Sequence, residues 1–176
     1  MERRRRLHLL IAALIVASAA QARVFMTQQE ALTAAFPAGA KVTRQTFFLT
    51  KQQIDDARRE SGVAFDQQLV IRYIGTVGDK IAGYAYFDTH RVRTEPETVM
   101  IVVTPDGRVD RIDILSFEEP TDYFPKKRWV DQILGRHLDS ELSLNKAIRP
   151  LSGASLTAQA IVNASRKVLA LHHVIR

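Results

Sequence analysis

The chain has 176 residues without cysteine, and its 25 Lys and Arg residues against 19 Asp and Glu residues give a formal charge of +6. The lack of cysteine excludes structural disulfides, thiolate zinc sites and iron–sulfur clusters, so any redox role requires a bound cofactor. Residues 1–22 carry four arginines and one glutamate, and the remaining chain has a charge of only +3. Because this charge is not clustered, we expect no nucleic acid partner.

The N-terminus has the pattern of an export signal. Arg3–Arg6 precede an apolar run over Leu7–Ala17, and Ala20–Ala22 has the A-x-A form of a signal-peptidase site. We therefore predict a signal peptide over residues 1–22 and a periplasmic or extracytoplasmic domain over residues 23–176. The run is shorter than the roughly 20 apolar residues of a membrane helix. Retention of this segment as an uncleaved membrane anchor is the alternative.

Hydrophobic periodicity after residue 23 predicts four helices and five strands. Thr27 and Glu30 have capping-box spacing at the start of the first helix, and Pro105–Gly107 forms the turn of the clearest hairpin. The predicted elements are a short helix between Thr27 and Pro37, a strand over Lys41–Thr50, a helix over Lys51–Glu60, strands over Gln68–Thr76 and Lys80–Thr89 with a turn at Gly75–Gly78, hairpin strands over Thr98–Thr104 and Arg108–Ser116, and helices over Lys126–Gly135 and Ser155–His172.

These elements predict a single α+β domain. The hairpin and the alternating strands indicate a largely antiparallel sheet, and we expect the helices to pack on one side of it. Trp129, with its apolar neighbours, is expected in the core. The run Lys126–Arg128 is expected to be a solvated helix start, with docking of an acidic redox partner as the alternative.

Small and hydroxyl residues cluster at Ser152–Thr157, where the last helix begins. Gly153 lets backbone N–H groups approach a ligand, and the positive end of a helix dipole favours an anion. The pattern therefore predicts a phosphate site, with Thr157 within one turn of the phosphate. An ordinary Ser N-cap after a loop is the alternative interpretation.

The segment Ser152–Thr157 resembles the [Ser/Thr]-Gly-Ala-[Ser/Thr]-x-[Ser/Thr] flavinylation motif of the FMN-binding domain family. This family includes periplasmic subunits of the sodium-pumping NADH:quinone oxidoreductase and of its ferredoxin-linked relative. The resemblance covers about Leu69 to Val174, through paired strands, the Pro-Asp-Gly hairpin, the Glu-x-Pro segment at Glu118–Pro120, a helix, the motif and a C-terminal helix.

The resemblance implies an electron carrier rather than a stand-alone catalyst. In the family a flavin transferase joins FMN through a phosphoester to the last hydroxyl of the motif, which is Thr157 here. Electrons would pass between a membrane-bound or periplasmic redox partner and a periplasmic acceptor. The cofactor-binding residues it implies are Thr157, Ser152, Gly153, Ala154, Ser155, Leu156, Thr94, Glu97, Thr98, Glu118 and Pro120.

Two positions depart from the family pattern. Arg149 stands three residues before the first hydroxyl, where relatives often have Asp. Thr121–Tyr123 follows Glu-x-Pro, where relatives often have Gly-Leu-Gly. The second departure predicts a differently built loop, with Tyr123 or Phe124 as the apolar wall that a flavin ring needs.

Other residues offer weaker signals. Arg91 and Arg93 lie in a charged loop that is either simply solvated or able to stabilise a reduced, anionic flavin. His90 and His137 are isolated in the sequence, and we assign no metal site. The competing function is a flavin-free exported domain that binds a small anion or a protein partner.

Overall fold

The computed structural model describes residues 23–176, and the predicted signal peptide lies outside them. In this part of the chain, six strands and four helices follow one another, with a short 3₁₀ turn at Thr121–Tyr123. They are β1 (Arg23–Val24), α1 (Gln28–Ala35), β2 (Lys41–Phe48), α2 (Lys51–Ser61), β3 (Leu69–Val77), β4 (Lys80–Arg91), β5 (Pro96–Val103), β6 (Val109–Phe117), α3 (Lys127–Val130) and α4 (Ser155–Val174).

The strands form one antiparallel sheet in the order β1-β6-β5-β4-β3-β2. From β2 to β6, consecutive strands pair with each other. Short turns join β3, β4, β5 and β6, whereas α2 lies in the connection from β2 to β3. The short strand β1 pairs with the far end of β6, where Arg23 lies opposite Phe117. The predicted α+β class and the antiparallel sheet are confirmed.

Both faces of the sheet are covered by helices. Along β5, Val99 and Ile101 belong to the core beneath α2 and α4, whereas Met100 and Val102 belong to a second core with α1. This alternation follows from the two-residue period of a strand. The arrangement differs from the predicted packing on one side, because the apolar side of α1 covers the second face.

The first helix begins with the predicted capping box, in which Thr27 and Glu30 cap α1 reciprocally. Thr50, predicted as the end of a strand, instead forms a second capping box with Gln53 at the start of α2. α2 ends at Gly62, whose φ of 68° lies in the left-handed region. Across residues 23–176, no helix combines the length and the apolar character needed to cross a membrane.

Most predicted elements end within two residues of their predicted bounds, but two predictions differ more from the structure. Gly75 lies inside β3 rather than in a turn, because it pairs with Gly83 of β4. The Phe36 ring occupies the space where a side chain of residue 75 would stand. The helix predicted over Lys126–Gly135 ends as α3 at Val130. The following residues turn back to the sheet, where Gly135 N–H donates to the Val109 carbonyl at 2.7 Å.

Candidate functional site

No side chain caps the start of α4. Its N-cap is Ala154, and both Ser152 and Ser155 are exposed. Gly153 has a φ of 79°, a conformation that other residues rarely adopt. The alternative of an ordinary Ser N-cap is therefore wrong. The free N–H groups of the first turn are the kind of group that binds a phosphate.

A cleft of about 270 Å³ lies against this helix start. One wall is Gly153–Thr157, and the opposite wall contains Val92 and Arg93 from the β4–β5 turn, with Glu119 and Tyr123. Thr157 lines the cleft but is only 1% exposed, whereas Leu156 is 53% exposed. The predicted acceptor hydroxyl therefore belongs to a residue tucked into the wall of the cleft.

A larger cleft of about 650 Å³ adjoins the first. Its lining includes Thr94, Glu118 and Pro120, three of the residues that the family resemblance implies. The two clefts share a wall of three residues, which are Arg93, Glu119 and Tyr123. The structure thus brings the helix-start motif and these three predicted residues to the two sides of one wall.

Glu119 holds this shared wall together. Its Oε1 atom accepts hydrogen bonds from three consecutive backbone N–H groups, those of Arg93, Thr94 and Glu95, at 3.0, 2.7 and 3.0 Å. Burial opposes ionisation, but these donors and the Arg93 charge outweigh it and hold the pKa of Glu119 below its ordinary value. Glu119 is not predicted from the sequence as a site residue. The available signal is its place inside the Glu-x-Pro segment.

The two aromatic residues after this segment have different roles. Tyr123 lines both clefts. Phe124 packs against Phe25 and Phe117, with ring centroids 5.1 and 5.4 Å apart. Of the two candidates for an apolar wall, the structure places Tyr123 at the site and Phe124 in a packing cluster.

Glu97 and Thr98 do not line either cleft. Glu97 is fully buried, with its Oε2 atom 2.9 Å from His90 Nε2. The Thr98 hydroxyl lies 3.0 Å from that of Thr89 on the neighbouring strand. Both residues are turned towards partners within the sheet.

His90 is not isolated, contrary to the sequence interpretation. Its Nδ1 atom lies 3.0 Å from an Asp88 carboxylate oxygen, and Nε2 contacts Glu97. Lys167 of α4 forms an ion pair with the other Asp88 oxygen. The separation of these residues in the sequence conceals this cluster. His137 also has an acidic neighbour, with Nε2 3.2 Å from Asp139.

Arg149 precedes the motif in a loop whose backbone is held by hydrogen bonds to side chains. Its side chain is exposed, while its N–H donates to Gln132 Oε1 at 3.0 Å and its carbonyl accepts from Trp129 Nε1 at 2.8 Å. The buried Trp129 confirms the predicted core residue. The backbone of Arg149 therefore fixes the approach to Ser152, and its charge faces solvent.

The charged side chains of the β4–β5 turn also differ from each other. Arg91 donates to the Thr94 carbonyl within its own turn, whereas Arg93 lines both clefts. Together with the α4 N–H groups, Arg93 can attract an anion, and Tyr123 offers an aromatic surface beside it.

Within residues 23–176, no group of His, Asp and Glu side chains is arranged to hold a metal ion. No protein-family model, curated protein or solved structure matches this chain.

Proposed function

We propose that the protein is an exported flavoprotein that carries FMN on Thr157 through a phosphoester. It relays electrons between a membrane redox partner and a periplasmic acceptor, and the redox chemistry is supplied by the flavin. The observation that carries the proposal is the meeting of the two clefts. The Ser152–Thr157 motif opens one cleft, and the shared wall of Arg93, Glu119 and Tyr123 joins it to the other.

The residues present fit the two parts of FMN. The uncapped N–H groups after Ala154 suit a phosphate, and the smaller cleft faces them. The larger cleft, at about 650 Å³, is within the size range of cofactor sites and has Tyr123 and Phe117 in its lining. Ring binding there would be supported by apolar and aromatic contact.

Three side chains have distinct tasks in this proposal. Arg93 places a positive charge beside both clefts, where it favours the added negative charge of a reduced flavin. Glu119 fixes the turn that carries Arg93. Tyr123 excludes water from one side of the site.

Attachment of FMN also requires movement of the chain, because Thr157 is 1% exposed and a transferase must reach its hydroxyl. We infer that the first turn of α4 opens during attachment.

Co-expression with a flavin transferase tests the proposal. The wild-type chain should show flavin fluorescence on a denaturing gel and an intact mass increased by one FMN. Thr157→Val should lose the label and keep the fold, because Val has nearly the same shape without the hydroxyl. Ser155→Ala removes a different hydroxyl of the motif, and it should weaken the label less than Thr157→Val does. A wild-type chain that stays unlabelled, while the same transferase modifies another target, would contradict the proposal.

The burial of Thr157 favours one competing function. A flavin-free domain that binds a small anion needs only the exposed edge of the cleft and the α4 N–H groups, and it needs no access to the Thr157 hydroxyl. The absorption spectrum of the protein purified from its native host separates the two functions. Flavin bands support the carrier, whereas a colourless protein whose residue 153–157 amides respond to inorganic phosphate supports the anion-binding domain.

A further inference from the structure

A polar seam joins β4 to α4. Alternate residues of β4 face the helix, and they meet partners that run in the opposite direction along it: Tyr86 contacts His172, and Asp88 pairs with Lys167. His90, next in this row, lines a cleft together with Asn163. The seam continues to the start of α4, where the β4–β5 turn faces Thr157.

Four charged or ionisable side chains form a cluster in this seam. His90 bridges Asp88 and Glu97, and Lys167 pairs with Asp88. Glu97 is the cross-strand partner of His90, so both point to the same face of the sheet. Its Oε2 atom contacts His90, whereas its Oε1 atom is buried and has no hydrogen-bond partner among the described residues.

The unpartnered oxygen makes Glu97 the least satisfied member of the cluster. A buried carboxylate oxygen without a partner is costly, and the cost falls when the carboxyl is protonated. Burial accordingly raises the pKa of Glu97, against the opposing influence of His90. For His90, burial lowers the pKa, but the two carboxylates outweigh it and raise the pKa to about 9.

The charge balance of the cluster also indicates that Glu97 is the residue that changes its protonation state. With His90 and Lys167 protonated and both Asp88 and Glu97 ionised, the cluster is neutral overall. The pKa of Asp88 is raised by burial but lowered further by its contacts with His90 and Lys167, so Asp88 stays ionised. Glu97 is therefore the member that changes charge, taking the cluster from neutral to +1.

Solvent reaches the cluster through its own cleft. This cleft, of about 180 Å³, is lined by Asp88, His90 and Lys167, with Arg91 and Asn163 at the same opening. His90 stands between this cleft and Glu97. The ionisable groups that act on Glu97 are thus His90 and Asp88 from β4, and β6 presents the apolar Phe117 opposite it. Lys167 from α4 reaches the cluster through its ion pair with Asp88.

We propose that the Asp88–His90–Glu97–Lys167 cluster is a proton-exchange site in which Glu97 takes up a solvent proton when negative charge enters the neighbouring clefts. The new bond is Oε1–H on Glu97, and the bond broken is an O–H bond of a hydronium ion in the cleft beside His90, which leaves neutral water. His90 keeps both of its protons. Resting on the proposed function, this uptake compensates the charge of an electron that arrives at the flavin from the redox partner.

Proton uptake can be measured on the protein without flavin. In the wild-type chain, the ¹³C shift of the Glu97 carboxyl and the ¹⁵N shifts of His90 are followed from pH 4 to pH 9. We expect Glu97 to titrate above the ordinary pKa of Glu, with His90 doubly protonated at pH 7. Titration of Glu97 at or below the ordinary value, or a neutral His90 at pH 7, would overturn the proposal.

A fixed charge tests the coupling to the clefts. Leu156 lines the smaller cleft and is largely exposed, so Leu156→Asp adds one negative charge there, and Leu156→Asn is the matched neutral control. We expect the aspartate variant to titrate Glu97 higher than the asparagine variant by roughly 0.5 pH unit. Equal midpoints would refute the coupling. Ser155→Asp against Ser155→Asn repeats the comparison if the first pair fails to fold.

Neither measurement uses flavin or a transferase. A cluster that fails both titrations leaves the FMN proposal intact, and a chain that never accepts FMN leaves the titrations interpretable.

Discussion

Tyr86 and His172 meet across the polar seam between β4 and α4, with the tyrosine hydroxyl 2.7 Å from His172 Nδ1. Both residues are only 2% exposed. Arg176 donates to the other ring nitrogen, at 3.3 Å. Burial and then the positive charges of Arg176 and Arg72 lower the pKa of His172 to about 4. His172 is therefore a neutral member of the core at neutral pH.

This neutral His172 should make the fold sensitive to acid. Between its ordinary pKa of 6.5 and about 4, the unfolded chain binds a proton that the folded chain excludes, so stability falls as the pH falls. The loss should reach about 3 kcal/mol across this window. Chemical denaturation of wild type and of His172→Gln at several pH values measures it, and the variant should lose this component.

The neighbouring His173 provides the control for that experiment. It is exposed and pairs with Glu60 at 2.7 Å. His173→Gln should keep most of the acid sensitivity of the wild type, because His173 is the smallest of the influences that lower the pKa of His172. A His172→Gln variant with the same pH dependence as the wild type would show that His172 is not the group excluded from protonation.

His90 should produce the opposite dependence at alkaline pH. Its pKa is lowered by burial but raised further by Asp88 and Glu97, to about 9. The stabilisation is fully present below the ordinary pKa of 6.5 and is lost as the pH rises through about 9. His90→Gln should therefore flatten the stability curve between pH 7 and pH 9.5 in urea denaturation. If His90→Gln lost stability at alkaline pH as the wild type does, His90 would not be the protonated group between Asp88 and Glu97.

The three hydrogen bonds that Glu119 accepts from the backbone, which we call the Glu119 clasp, predict a local effect on the β4–β5 turn. Glu119→Gln removes the charge that three N–H groups share, and we expect a loss of about 1–2 kcal/mol and faster hydrogen exchange at residues 93–95. Glu118→Gln, beside it, is the matched control and should leave the exchange rates unchanged. Equal protection of residues 93–95 in both variants would exclude the clasp.

Protonation should have the same effect as that substitution. The pKa of Glu119 is depressed in the folded state, because the backbone donors outweigh burial. Its stabilisation is therefore present above the ordinary pKa of 4.5 and is lost as the pH falls through the lower, folded value. Hydrogen exchange at Thr94 should accelerate over this acidic range in the wild type. In Glu119→Gln the exchange, corrected for its intrinsic pH dependence, should show no such step.

Local patterns predict much of the fold, but they do not predict the polar seam. The capping box at Thr27 and the Pro105–Gly107 turn depend on residues close in the chain, so the sequence reveals them. The contact between Asp88 and Lys167 joins residues far apart, and nothing local marks it. For the same reason, His90 looks isolated in the sequence.

The candidate site divides in the same way. Small residues at Ser152–Thr157 signal a helix start from the sequence alone. The role of Glu119 depends on the folded turn, because its partners are backbone N–H groups that any sequence would carry. The side of the sheet that α1 covers also depends on tertiary packing, since the Phe36 ring lies over Gly75.

That packing gives a last prediction for the second core. A Cβ atom on Gly75 would lie 2.3 Å from the Phe36 ring, far closer than atoms can approach. Gly75→Ala should therefore destabilise the fold by about 1–3 kcal/mol, because the ring must move. Phe36→Ala alone should cost about 3 kcal/mol or more, since it empties part of the core. In the double variant the clash is absent, so the two costs should sum to more than the measured loss. Thermal denaturation of the four proteins gives this coupling, and strictly additive losses would place Phe36 away from Gly75 in solution.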